Sequence, residues 1–318
     1  MLLKNPISKL FIQTAFSFAA LLSLTVAAEA DSSHMTFPSD QSYGTMIFLG
    51  PDWDVFDKHP KGTFVAEAKG TVPYSPGAAV MLTARFPFTD NPAVMNKLPP
   101  DAFQYINISM LPAEDKIFGP LSKMTGLRRL DFQEGEFQDK AFGQLSKLTN
   151  LEALTVNECF VTGESLTHFG TLKKLQYLAF KKVALDWKLL NKSSPVFPAL
   201  TNLLFTSTNL TDEGLKWCEK MPKLTRLILD SDAQVTDKGL LTIKKLPSLR
   251  ILQLKQSKVT AKGILQLKGS KLQLIALEDA SYTPEEVKKM RDAMPDTRFT
   301  FGKKKMKEGT MEIFAPLH

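Results

Sequence analysis

Apolar residues fall on a fixed rhythm along most of this chain. The pattern L-x-x-L-x-L recurs as Leu127-Leu130-Phe132, Leu151-Leu154-Val156, Leu175-Leu178-Phe180 and Leu200-Leu203-Phe205. It continues as Leu224-Leu227-Leu229, Leu249-Leu252-Leu254 and Leu272-Ile275-Leu277, with a looser first copy at Phe103-Ile106-Ile108. Successive starts lie 24, 24, 24, 25, 24, 25 and 23 residues apart. Chance clustering does not hold such a register, so the chain reads as an internal repeat. The alternation that opens each unit predicts a strand. Some ten residues on, an apolar residue precedes a threonine at Val161-Thr162, Leu210-Thr211, Val235-Thr236, Val259-Thr260 and Tyr282-Thr283. Each threonine is placed to cap a helix, its hydroxyl accepting from a free N–H of the first turn. Apolar residues three apart then follow, as in Leu215-Cys218-Met221 and Leu240-Ile243-Leu246, and Pro222 and Pro247 stop two of these helices. Each unit is strand, turn, helix.

These units resemble leucine-rich repeats of the cysteine-containing subtype. The likeness is carried by Leu210-Thr-Asp-Glu-Gly-Leu215 and Val235-Thr-Asp-Lys-Gly-Leu240, and similar arrays occur in exported proteins of planctomycete-like bacteria. It covers about residues 98–301. The fold it implies is α/β: a leucine-rich repeat solenoid, a right-handed β-α superhelix of about eight repeats of 23–25 residues, with short helices on the convex side. Such arrays are general binding scaffolds, so the likeness implies binding without naming a ligand.

One unit cannot bury both its strand face and its helix face, so neighbours must stack. Leu224, Leu227, Leu229, Val235, Leu240, Ile243 and Leu246 form one such slice. The fourth unit departs from the pattern, because Asn191-Lys-Ser-Ser-Pro-Val-Phe-Pro198 lacks a clean helix and is expected to bulge as an irregular loop. The remaining divisions are a β-rich N-terminal capping module at 31–97, the repeats at 98–295, and a closing strand with a basic tail at 296–318. In the module, stretches 44–50, 63–74 and 78–86 read as strands, with a turn at Ser75-Pro76-Gly77. Phe299 and Phe301 carry the inward strand spacing of the last element, and Lys303-Lys-Lys-Met-Lys307 begins a solvated tail.

Residues 1–30 have the layout of a secretory signal peptide: Lys4 and Lys9, an apolar stretch from Leu10 to Ala28, then Ala28-Glu29-Ala30 as an A-x-A site. An uncleaved membrane anchor is the alternative. The protein is therefore expected to be exported, to a periplasmic, cell-envelope or extracellular location.

Composition narrows the chemistry. The chain holds 318 residues, 43% hydrophobic and 23% charged, with 40 Lys+Arg against 33 Asp+Glu. Two cysteines exclude a disulfide scaffold. Cys159 and Cys218 sit two repeats apart and in different layers, roughly 10 Å away at strand spacing, and read as buried free thiols. No phosphate loop, nucleophile elbow, zinc-protease or dinucleotide motif is present. Asp230-Ser-Asp232 begins like a calcium loop but its spacing then fails, and His168 falls on a convex helix with no candidate partner. No catalytic residue, cofactor site or metal site is expected.

The third, fifth and seventh positions of each L-x-x-L-x-L-x face the concave sheet surface. Their charges are mixed, with Arg129, Lys181, Arg226 and Lys255 facing Asp131, Asp230 and Glu278, which argues against nucleic acid. Tyr177, Leu204, Ile228, Ile251 and Leu274 form an expected exposed apolar patch, rimmed by Lys181, Arg226 and Lys255. That composition suits a protein or peptide ligand, with Tyr177, Arg226, Ile228 and Ile251 as anchors. The expected function is an exported, non-enzymatic protein that binds another macromolecule through this face. A structural or anchored cell-envelope protein is one alternative. A glycan-binding accessory protein is another, disfavoured because only Tyr105 and Tyr177 bring aromatic rings to the concave columns. A membrane association follows only if the N-terminal segment stays uncleaved.

Overall fold

A computed structural model of the protein describes residues 33–302 apart from 58, 233, 279 and 280. The signal-peptide and basic-tail readings lie outside the described residues. The N-terminal strands are β1 (Ser33–Thr36), β2 (Gly44–Phe48), β3 (Thr63–Glu67), β4 (Thr71–Tyr74) and β5 (Val80–Ala84). Then come β6 (Tyr105–Glu114), β7 (Arg129–Glu136), β8 (Ala153–Cys159), β9 (Tyr177–Lys181) and β10 (Asn202–Thr206). The last are β11 (Arg226–Asp230), β12 (Ile251–Lys255), β13 (Leu274–Glu278) and β14 (Arg298–Gly302).

From β5 to β14 every strand pairs in parallel with its successor, and β2 and β3 extend the same sheet antiparallel, giving one sheet of 12 strands. The register follows the repeat: Tyr105, Arg129, Ala153, Tyr177, Asn202, Arg226, Ile251 and Leu274 lie side by side across successive strands. The first, fourth and sixth positions of each unit point the other way, into one continuous core with the helices. The slice from Leu224 to Leu246 is buried throughout. This is a leucine-rich repeat α/β solenoid.

The N-terminal region divides between two sheets: β2, β3 and β5 belong to the main sheet, and β1 and β4 form a separate two-stranded sheet. Gly70, at φ 61°, breaks the expected strand over 63–74 into β3 and β4. β4 then leaves to pair with β1, while β3 stays on the main sheet.

The turn chemistry explains the Thr-Asp-x-Gly-Leu signature. Thr236 and Thr260 cap the helices Asp237–Lys245 and Ala261–Gln266, accepting from Lys238 N and Gly263 N. Thr283 forms a reciprocal capping box with Glu286 on the helix Pro284–Ala293. The aspartate reaches the other way: Asp212 accepts from the backbone N–H and hydroxyl of Thr236, and Asp237 does the same for Thr260. Each repeat is thereby stapled to the next. Glycine follows because a Cβ at Gly239 would stand 2.5 Å from Asp212 Oδ1. Thr162 keeps the aspartate staple but makes no cap. Its hydroxyl donates to Asp139 Oδ2, and the 3-10 helix Glu164–Thr171 starts without a side-chain cap. Asp139 also accepts from the N–H groups of Thr162, Gly163 and Ser165 and from the Ser165 hydroxyl.

The fourth unit is more regular than expected. Asp186 accepts from Leu189 N and starts a helix at Trp187–Ser193, with Trp187 and Leu190, three apart, facing the core. Only 194–198 is irregular, and even there Phe197 is buried.

One feature has no counterpart in the sequence pattern. The residue after the seventh position is left-handed in repeat after repeat: Met110, Glu134, Glu158, Lys182, Ser207, Ser231 and Gln256, with φ between 49° and 64°. Non-glycine residues adopt this conformation rarely. Here the corner lets the N–H groups of Lys182, Ser207 and Ser231 donate to the carbonyls of Thr206, Asp230 and Lys255 in the following strand.

Candidate functional site

The sheet face away from the helices divides in two. Its N-terminal half is covered by the chain itself. Between β2 and β3 the segment Pro51-Asp-Trp-Asp-Val-Phe-Asp57 crosses the face of the first repeats. Trp53 stacks on Tyr105, rings 6.2 Å apart and 3° from parallel, and the Arg128 guanidinium lies 5.3 Å from the centre of the Trp53 ring. Phe56 leans on Tyr177 at 6.3 Å. Leu49, Ala79, Met81 and Tyr105 form a small second core there, with Ile47 and Trp53 packed against it.

Arg129 fixes this cover. Its Nη1 donates to the carbonyls of Val55 (3.2 Å) and Asp57. Its Nε and Nη2 donate to Asp131 Oδ2 at 3.1 and 2.8 Å, and the same oxygen accepts from the Tyr105 hydroxyl at 2.6 Å. The guanidinium also sits 4.5 Å from the Tyr105 ring centre. Burial works against the charge on Arg129, but Asp131 outweighs it and holds the pKa above the ordinary arginine value. Burial likewise pushes the Tyr105 hydroxyl up. Asp131 Oδ1 and Trp53 Nε1 are buried without a hydrogen-bond partner among the described residues.

Past Tyr177 the face changes. Lys181, Arg226, Ile228, Ile251 and Lys255 stand half-buried on β9, β11 and β12. Burial lowers the Lys181 pKa, partly opposed by Asp131 and Asp230. Both Asp230 carboxylate oxygens accept from the Gln253 amide, Oδ1 at 3.1 Å and Oδ2 at 2.8 Å.

The expected apolar patch is smaller than its sequence columns. Leu204 is 2% exposed and Leu274 7%, so neither is an exposed contact residue. Leu204 lies between Ala179 and Ile228, and Leu274 between Ile251 and Arg298. Side chains of paired strands on both flanks shield them. Tyr177 is half-buried and already has Phe56 against it; Ile228 and Ile251 remain. Of the eight expected contact residues, Tyr177, Lys181, Arg226, Ile228, Ile251 and Lys255 therefore retain accessible surface on one side of one sheet.

Column reading missed Trp53, Val55 and Phe56, which lie outside the repeats. The available signal was Asp52-Trp-Asp-Val-Phe-Asp57, in which acid and apolar residues alternate as far as Val55 before Phe56 follows directly, a pattern that suits a strip with one wet and one packed side.

The other singled-out residues serve the scaffold. Cys159 and Cys218 are free and buried, and burial pushes both thiols up to about 12. Asp232 is 3% exposed and accepts from the N–H groups of Thr208 and Leu210. Burial raises its pKa, against those bonds. His168 is exposed on the helical side. Among the described residues, no group of three or more metal-binding side chains comes together, and no helix is long and apolar enough to cross a membrane.

No family model and no curated protein matches the chain. Among solved structures it is similar to an internalin (inlF) from Listeria monocytogenes, at 15% identity and a TM-score of 0.43, over 61% of this chain and 57% of that one. It is also similar to the protein in the TLR13–ssRNA13 complex, at 17% identity and a TM-score of 0.43, over 63% of this chain and 32% of that one. A third, internalin C2 from Listeria monocytogenes, has 16% identity and a TM-score of 0.33, over 62% of this chain and 67% of that one. The chain thus spans little more than half of the first and a third of the second. Such remote likeness carries nothing about ligand, and the fold rests on the strand register itself.

Proposed function

We propose that this is an exported, non-enzymatic repeat protein that binds a protein or peptide partner through the open half of its sheet face. The observation that carries this reading is the half-buried group Lys181, Arg226, Ile228, Ile251 and Lys255, held at fixed spacing by parallel pairing of β9 to β12. Aromatic, arginine and aliphatic anchors within a polar rim are the composition of a contact surface. The non-enzymatic reading is supported by the engagement of two of the face's carboxylates: Asp131 by Arg129 and Tyr105, Asp230 by Gln253. Export rests on the layout of residues 1–30.

The test is capture of partners from envelope extract on the immobilised mature protein, on Arg226→Glu, and on Lys244→Glu from the helical side. Loss of the captured species with Arg226→Glu alone supports the reading. Equal capture by all three proteins refutes it. Sequencing the N-terminus of the protein recovered from its host tests export, since a retained Met1 would leave the chain uncleaved.

A further inference from the structure

The loop on the covered half shows what chemistry this sheet face accepts. It presents Asp52, Asp54 and Asp57 to solvent, half-buries Trp53 and Phe56, and buries Val55 at 4% exposure. Its backbone is held by an arginine in the third column, and its rings rest on tyrosines of that column. The open half repeats these parts. Arg226 occupies the column position of Arg129 four strands later, with Ala153, Tyr177 and Asn202 between them. Its fifth-position neighbour is Ile228, where Arg129 has Asp131. Arg226 accordingly forms no ion pair and donates no hydrogen bond among the described residues. On β9 to β14 Lys181, Arg226, Lys255 and Arg298 stand against Asp230 and Glu278, with Asp131 of β7 also acting on Lys181, and Asp230 is engaged by Gln253.

We propose that the open half binds an extended acidic segment of a partner protein, with apolar residues at alternating positions, as a continuation of the track on which the chain's own Asp52–Asp57 segment lies. Arg226 would take the segment's backbone carbonyls as Arg129 takes those of Val55 and Asp57. Ile228 and Ile251 would receive its apolar side chains, and Lys181 and Lys255 its carboxylates. From Tyr177 to Ile251 is three strand spacings, about 14 Å, which about four extended residues span. The inference rests on the open-face reading above and adds the chemistry of the occupant.

The probe is the acetylated, amidated heptapeptide Pro-Asp-Trp-Asp-Val-Phe-Asp carrying a C-terminal photo-crosslinker, titrated against the full mature chain. Saturable binding that weakens as salt rises supports the proposal, together with crosslinks in β10 to β12. So does at least a tenfold loss of affinity in Arg226→Glu/Lys255→Glu, provided that variant melts like the parent. Crosslinks confined to β6 to β8 would mean the peptide only displaces the resident loop, and would overturn it. Absence of saturable binding, or equal affinity for the peptide with its three aspartates changed to asparagine, would also overturn it. The two readings separate cleanly. If Arg226→Glu abolishes partner capture while the peptide neither binds nor competes, the open face stands and the acidic occupant falls. If capture is indifferent to Arg226→Glu, the face itself falls.

Discussion

The two halves of the sheet face share one backbone and differ in what lies on it. Over β6 to β9 an acidic-aromatic loop is clamped by Arg129, whose side chain is 9% exposed and paired to Asp131 at 2.8 Å. Over β9 to β12 the equivalent column carries Arg226 half-buried and unengaged among the described residues. The same residue type is thus a structural clamp in one half and a free contact in the other. What separates them is the chain folded over the first and the carboxylate at its fifth position. Position in a repeat therefore does not assign a role; the neighbouring layer does.

The largest expected contrast comes from removing each arginine. Arg129→Ala removes the charge partner of the 14% exposed Asp131 and leaves it only the Tyr105 hydroxyl, and should destabilise the fold by about 3–5 kcal/mol, whereas Arg226→Ala should stay within about 0.5 kcal/mol. Denaturant titration of both variants checks this, and equal losses would erase the distinction between the halves. Beneath the face the halves should agree. Leu130 and Leu227 are both fully buried, so Leu130→Ala and Leu227→Ala should each cost roughly 2–5 kcal/mol. A variant in either half that melts like the parent would contradict the stacked core.

The staples between repeats give a graded pair. Asp139 accepts five hydrogen bonds from the next repeat and Asp237 two. Asp139→Ala should then cost about 3 kcal/mol and Asp237→Ala about 1 kcal/mol, since three of the donors to Asp139 are part-buried and both donors to Asp237 are exposed. Hydrogen bonds from Ser165 and Thr162 outweigh the burial of Asp139 and hold its carboxyl below the ordinary value. Its contribution is accordingly present above the unfolded pKa of about 4 and lost as pH falls through the lower folded value. Thermal melts on an acid series in parent and Asp139→Ala should converge there.

Tyr177 reports on the boundary between the halves. Burial raises its hydroxyl from 10.0 to about 12, with Asp131 raising it further against Arg129 and Arg226. The neutral phenol is favoured by folding, so this stabilisation is complete below pH 10 and disappears as pH rises through about 12. Phe56→Ala should let water in and move one tyrosine titration downward in a difference absorbance experiment. An unchanged titration would show that the loop is not what shields Tyr177. The smallest effect should come from the left-handed corners. Glu134→Gly and Ser207→Gly, one in each half, relieve a positive φ and should gain at most about 1 kcal/mol each.

Much of this architecture was legible from residue order. The interval of 23 to 25 residues places each third-column residue beside the next, and the observed pairing of Arg226 with Asn202 and Ile251 follows that column. The threonine caps at 236, 260 and 283 were readable because their partners lie within the same turn. Thr162 does not cap: it makes the same bonds to Asp139 that Thr236 makes to Asp212, but its hydroxyl accepts from no N–H of the 3-10 helix that follows. The exposed patch was overdrawn at Leu204 and Leu274, since lateral shielding by paired strands does not register in a single unit's alternation.

Sequence by itself determined the period, the inward aliphatic rows and the columns of the open face, because stacking identical units is the only way such short elements can hide their apolar sides. Only the tertiary structure decided which columns stay accessible. The clamp links Arg129 to Val55 and Asp57, more than 70 residues away in the chain, and no local pattern encodes a contact of that reach. It forms because a buried guanidinium needs a carboxylate and carbonyls around it, and the folded loop between β2 and β3 supplies the carbonyls.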